Sequence, residues 1–144
     1  MGDACEMLVA AELTLSGIPA LKVPDNWPDY DVIAQPLTGP PQRISVKSRT
    51  FKRGSAYVEF RDTDRFDWLA IVLLPSGTTG DRLTYIIPRA VADRLARRDK
   101  PTSKTVRLRY YRIDEVERLF APYRDNFGLL GVDGETLPDA ELTI

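Results

Sequence analysis

The stretch "FDWLAIVLL", residues 66–74, is the strongest constraint on the fold. It is the longest continuously apolar run in the chain. Its β-branched and aromatic residues and its short length predict a strand with neither face open to water. Such a strand needs packed layers on both sides, which a chain of 144 residues can supply as one domain.

The elements around it predict those layers. "DACEMLVAAELTLSG", residues 3–17, has the composition of a helix, with Asp3 at its start and Gly17 to end it. "IPALKV", "YDVIAQ", "RISVKSRT" and "SAYVEF" read as strands, separated by the turns "PDNWP" and "PLTGPP". After the central run come the turn "SGTTGD", the strand "RLTYIIP", the helix "PRAVADRLARR", the strand "TVRLRYYRI" and the short helix "DEVERLFAPY". The order predicts an α/β fold with a mixed central sheet flanked by helices. Residues 1–124 are expected to form that domain. Residues 125–144, acidic toward their end, are expected to form a tail or surface strip.

Composition narrows the chemistry. The chain has no histidine, which excludes Ser-His-Asp and Cys-His nucleophiles and histidine-ligated metals. Its one cysteine, Cys5, can form neither an internal disulfide nor a thiolate cluster. A cytoplasmic setting is expected, with no signal peptide and no membrane span. Any metal would bind oxygen, which favours Mg²⁺ or Mn²⁺.

Two strands carry an ionisable group where apolar residues are expected. Asp31 opens "DVIA" and Lys47 interrupts "ISVKS". Alternation places Ser45, Lys47 and Arg49 on one face and Ile44, Val46 and Ser48 on the other. In a hairpin, a six-residue loop from Pro36 to Pro41 has the wrong parity to bring Asp31 and Lys47 to one face. An odd-length loop or a bulge is therefore required. On the first helix, Glu6 falls between Ala10 and Leu13, on a mainly apolar face. A carboxylate there is costly unless it is paired or coordinates a cation, although a helix-start acid can also answer the helix dipole. Two carboxylates and a lysine can hold a divalent metal and stabilise charge on a phosphoryl group.

This pattern resembles the PD-(D/E)xK nuclease superfamily, with its restriction-endonuclease-like fold. The resemblance spans roughly residues 2–88: the glutamate helix "GDACEMLVAAELTLSG", the acid-led strand "YDVIA", then "ISVKS", "FDWLAIVLL" and "YIIP". It implies a Mg²⁺- or Mn²⁺-dependent deoxyribonuclease, with Asp31 and Glu6 as metal ligands and Lys47 as the catalytic lysine. Asp29, in the literal Pro28-Asp29 pair, competes with Asp31 for the acid's role. The family's second acid would fall at Ser45. The departure leaves Ser45 as a weak ligand or hydrogen bonder and calls for a carboxylate from elsewhere, Glu6 or Glu59. Arg43, Arg49, Lys52 and Arg53 are expected to contact the DNA backbone, and duplex cutting would take a homodimer.

Two other readings compete. One is a catalytically inactive nuclease-fold module that binds DNA or protein, which Ser45 favours. The other is an interaction protein in which Asp31 and Lys47 form a structural ion pair. Trp27, Tyr30 and Trp68 fit base stacking or ordinary packing. Asp62, Asp64 and Asp67 fit capping or a second metal site. A second basic cluster, among residues 89–112, includes Arg94, Arg97, Arg98, Lys100, Lys104, Arg107 and Arg109. It fits a phosphate-tracking surface or solvated faces.

Overall fold

The structure is a computed structural model that describes residues 2–50, 57–75 and 80–131. The opening helix α1 spans Gly2–Leu15. It ends as Gly17 predicts: Gly17 has φ +100°, its N–H donates to the Thr14 carbonyl, and the Ile18 N–H donates to Leu13. These two bonds satisfy carbonyls that the last helical turn leaves open.

Strands β1 (Ala20–Lys22), β2 (Val32–Ala34), β3 (Gln42–Thr50), β5 (Trp68–Leu74) and β6 (Leu83–Pro88) form one sheet in the order β1-β2-β3-β5-β6. Only β3 and β5 pair in parallel. The sheet is thus mixed, and the apolar run is an interior strand with Leu69–Leu73 all buried. Helix α1 covers one face, packing Cys5, Val9, Ala10 and Leu13 against Val32, Ala34, Ile44, Val46, Ala70, Val72 and Ile86. The opposite face presents Leu69, Ile71, Leu73, Tyr85 and Ile87.

That second face is covered by a layer the alternation pattern did not distinguish. β4 (Tyr57–Arg61) leaves the main sheet and pairs antiparallel with β7 (Leu108–Arg112). The two-stranded ribbon packs with α2 (Arg89–Leu95) and α3 (Ile113–Leu119) over the sheet. Phe60, Tyr111 and Phe120 fill this layer. Tyr111 meets Phe120 edge to face, with ring centroids 5.0 Å apart. Period-2 alternation announces a half-buried strand but says nothing about which sheet it joins.

Residues 125–131 follow the edge of β6. The Asp125 N–H donates to the Thr84 carbonyl, and the Asn126 amide donates to Ile86. Residues 132–144 lie outside the described residues, as does most of the expected "SGTTGD" turn. Among the described residues no helix is long and apolar enough to cross a membrane.

Candidate functional site

The parity problem is solved by the loop. β2 ends at Ala34 rather than Gln35, and Ala34 pairs with Gln42. The connection is therefore the odd-length 35–41, which puts Val32 across from Ile44 and brings Asp31 beside Ser45. Gly39 allows the turn by taking φ +92°.

Asp31 sits where the ladder stops. Its own N–H donates to the Ile44 carbonyl at 2.9 Å. Its carboxylate continues the pairing: Oδ2 accepts the Val46 N–H at 2.7 Å. The acid thus replaces a strand carbonyl with one oxygen, and Oδ1 has no hydrogen-bond partner among the described residues. The apolar Val32 and Val46 lock the position from the α1 side.

On β3, Ser45 and Lys47 are registered beside Leu69 and Ile71 of β5 and so share the face turned away from α1. Asp31, Ser45 and Lys47 line one cavity of about 240 Å³, closed by Trp27, Asp29, Tyr30 and Asp64. Ser45 is only 4% exposed. Lys47 is half-buried and makes no ion pair among the described residues. Asp31 and Lys47 therefore do not form the structural ion pair that one reading required; both keep donor or acceptor capacity for a ligand.

Glu6 approaches from the other side. It is carried by α1 and does not line the cavity. Burial, then the negative charge of Asp31, push its carboxyl above the usual range, against the pull of Lys22. The Lys22 ammonium lies 3.6 Å from Glu6, 3.9 Å from Asp3 and 2.5 Å from Asp25. Oxygens of those three acids lie within 4.8 Å of one another, with the lysine already answering their charge.

The remaining residues separate cleanly. Asp29 has φ +74°, and its Oδ2 pairs with Arg65 at 3.0 Å, whereas Asp31 has no cation partner among the described residues. Arg43 is bound through two guanidinium hydrogen bonds of 3.1 Å to Asp67. Burial alone would raise the Asp67 carboxyl, but these bonds hold it below its ordinary value. Arg49 donates to the Tyr57 carbonyl at 2.9 Å and ties β3 to β4. Lys52 and Arg53 lie outside the described residues. Glu59 lines a different cavity with Tyr57 and Tyr110.

Asp64 belongs to the acidic cluster that fits capping or a second metal site. It does cap, since Oδ2 accepts the Arg61 N–H at 3.0 Å, yet the same turn carries it to the wall of the Lys47 cavity. Its separation of 33 positions from Asp31 hides it from any motif-based reading.

The cavity lining carries oxygen donors of the kind a hard cation takes, the Asp29, Asp31 and Asp64 carboxylates and the Ser45 hydroxyl, with Glu6 close enough to feel the Asp31 charge. Among the described residues, however, the trio of acids whose oxygens lie within 4.8 Å of one another is Asp3, Glu6 and Asp25.

No family model matches the chain, and no curated protein matches it. Solved structures do. A bacterial homing endonuclease, I-Ssp6803I, superposes with a TM-score of 0.54 at 22% identity, covering 93% of this chain and 91% of that one. The Holliday junction resolvase Hjc of the archaeal hyperthermophile Archaeoglobus fulgidus aligns with a TM-score of 0.44 at 14% identity, covering 79% of this chain and 89% of that one. The chain has a restriction-endonuclease-like α/β fold.

Proposed function

We propose that the chain is a metal-dependent endonuclease that hydrolyses phosphodiester bonds in DNA. The observation that carries this reading is the unpaired Lys47 beside the open Asp31 oxygen in one cavity of a nuclease fold. Asp31 would hold Mg²⁺ or Mn²⁺. Asp64 would supply the carboxylate that Ser45 does not, and Glu6 would add its charge from the α1 side. When bound, the cation supplies Lewis acidity at the phosphoryl group.

The chain's own groups do the rest. Hydrolysis adds water to phosphorus and breaks one P–O ester bond, leaving a phosphomonoester and a hydroxyl. Lys47 presents an ammonium with three donors, which orients the attacking water or binds a non-bridging oxygen as negative charge builds there. Ser45 can donate one hydrogen bond to the same phosphate. The β-ladder holds Asp31 and Ser45 in register, so the groups converge without a mobile loop. Cutting both strands of a duplex calls for two copies.

A cleavage assay with Mg²⁺ or Mn²⁺ tests this on duplex, single-stranded and branched DNA, with Lys47→Ala and Asp31→Asn beside the parent. Cleavage should require metal and fall by at least about 10²-fold in each variant. Equal activity in all three proteins would sink the assignment. Ser45 favours a second reading, a non-catalytic DNA-binding module. Metal-independent DNA binding with no cleavage of any substrate would select it.

A further inference from the structure

A second cavity adjoins the Lys47 cleft. It measures about 330 Å³ and is bounded by Trp27, Pro28, Asp29, Tyr30, Arg43 and Arg65. Three of these residues, Trp27, Asp29 and Tyr30, also wall the cleft, so the two spaces share a wall. We propose that this cavity is a subsite for an unstacked nucleobase of the strand whose phosphate enters the Lys47 cleft. The proposal rests on the nuclease reading and extends it to a substrate class: DNA with an unpaired nucleotide next to the scissile phosphate.

Trp27 is the first reason. It is 48% exposed and belongs to neither core cluster. Its only ring contact among the described residues is edge-on to Tyr30, at 6.4 Å and 76°. Trp68 contrasts with it. That ring packs against the α1-side core, and its indole N–H donates to Gln42. A half-exposed indole at the rim of a polar cleft is a platform on which a base can stack, whatever its sequence.

Preorganisation is the second. The Trp27 N–H donates to the Pro24 carbonyl at 2.9 Å, and the Tyr30 N–H donates to Pro28 at 2.9 Å across Asp29 in its left-handed conformation. These bonds hold the backbone from which the two rings project. A sparsely populated backbone conformation held by its surroundings is characteristic of binding sites.

Charge is the third. Arg43 lies on the same β3 face as Ser45 and Lys47, its guanidinium fixed by Asp67. The Arg65 side chain is anchored to Asp29 yet largely exposed. Both cations stand where the phosphates flanking a bound base would run. A base stacked within a duplex offers no open face to Trp27, so unpaired or distorted strands gain this contact and intact duplex does not.

The test is fluorescence anisotropy with EDTA present, which separates binding from cleavage. The probes are a short single strand, an abasic strand of equal length and charge, and the matching duplex. Trp27→Ala and Trp27→Phe are compared with the parent, with circular dichroism confirming that each is folded. Trp27→Ala should weaken the ordinary single strand roughly tenfold and leave the abasic strand unchanged, and Trp27→Phe should restore most of the loss. Equal loss on both strands, or no loss on either, overturns the subsite. Metal-dependent cleavage would still stand after that result. Failure to bind any of the three probes at low salt would count against the nuclease reading as well.

Discussion

Asp31 has two duties, and substitution can separate them. Its Oδ2 satisfies the Val46 N–H, and its charge and open Oδ1 face the cavity. Asparagine keeps an acceptor and removes the charge, whereas alanine leaves a part-buried donor without a partner. An unsatisfied buried donor costs about 1–3 kcal/mol. Asp31→Ala should therefore lose stability in that range in urea unfolding, while Asp31→Asn should lose markedly less. Both should lose cleavage alike. Equal stability of the two variants would mean that the Val46 hydrogen bond contributes nothing. Asp31 and Lys47 were legible because each breaks an apolar run, and burying a charge without a purpose is expensive. Asp64 was legible only as one of three acids open to capping or a second metal site, because an aspartate in an acidic turn has an ordinary explanation in capping, and that explanation is also true of it.

The 35–41 connection is the element on which the site depends. A one-residue change of parity would turn Ser45 and Lys47 toward α1 and bury two polar groups among Val9, Leu13 and Ala70. The sequence called for an odd or bulged loop because only that brings Asp31 and Lys47 to one face, and the apolar set Val32, Ala34, Ile44 and Val46 packs together in that register. It did not specify that Gln35 leaves the strand. Gln35 is held by its own loop, its side-chain amide donating to the Pro36 and Gly39 carbonyls. Gly39 lies in open space at φ +92°, so a methyl group there meets no atom and changes only the backbone preference. Gly39→Ala should cost about 1–2 kcal/mol, the penalty of a left-handed conformation for an L-residue. Denaturant titration checks it. A smaller loss would show that the loop can reach the same register through another conformation. The departure of β4 into its own ribbon had no comparable signature, because the partners of Tyr57–Arg61 lie some fifty positions away in β7.

At the scale of the molecule, the proposed nuclease, with net charge −1, would have to attract DNA through local fields rather than overall charge. Both basic stretches lose cations to acids in the folded chain, Arg43 of the first to Asp67. Within the second, Arg97 pairs with Glu115, and Arg107 and Arg109 both lie 3.5 Å from Asp62. Those acids sit on other elements, so a one-dimensional reading could not cancel them. Lys47 in the first stretch has no such partner. Substituting the two cations should therefore give opposite phenotypes. Lys47→Ala should lower the slope of log K against log salt for DNA binding by about one, the loss of one phosphate contact. Arg97→Gln should leave that slope unchanged and show its effect in acid instead. The hydrogen bonds from Arg97, opposed by burial and aided by the Arg112 N–H, hold the Glu115 carboxyl at about 2, against an ordinary 4.5. A carboxyl depressed in the folded state contributes stability above its unfolded pKa, and this is lost as pH falls through the folded value. The stability gap between parent and Arg97→Gln should thus be full above about pH 5 and close toward pH 2. Thermal unfolding across that range measures it. A gap that persisted at pH 2 would mean that Arg97 stabilises the fold independently of the Glu115 charge, and a salt slope that moved with Arg97 would place this cation on the DNA-binding surface.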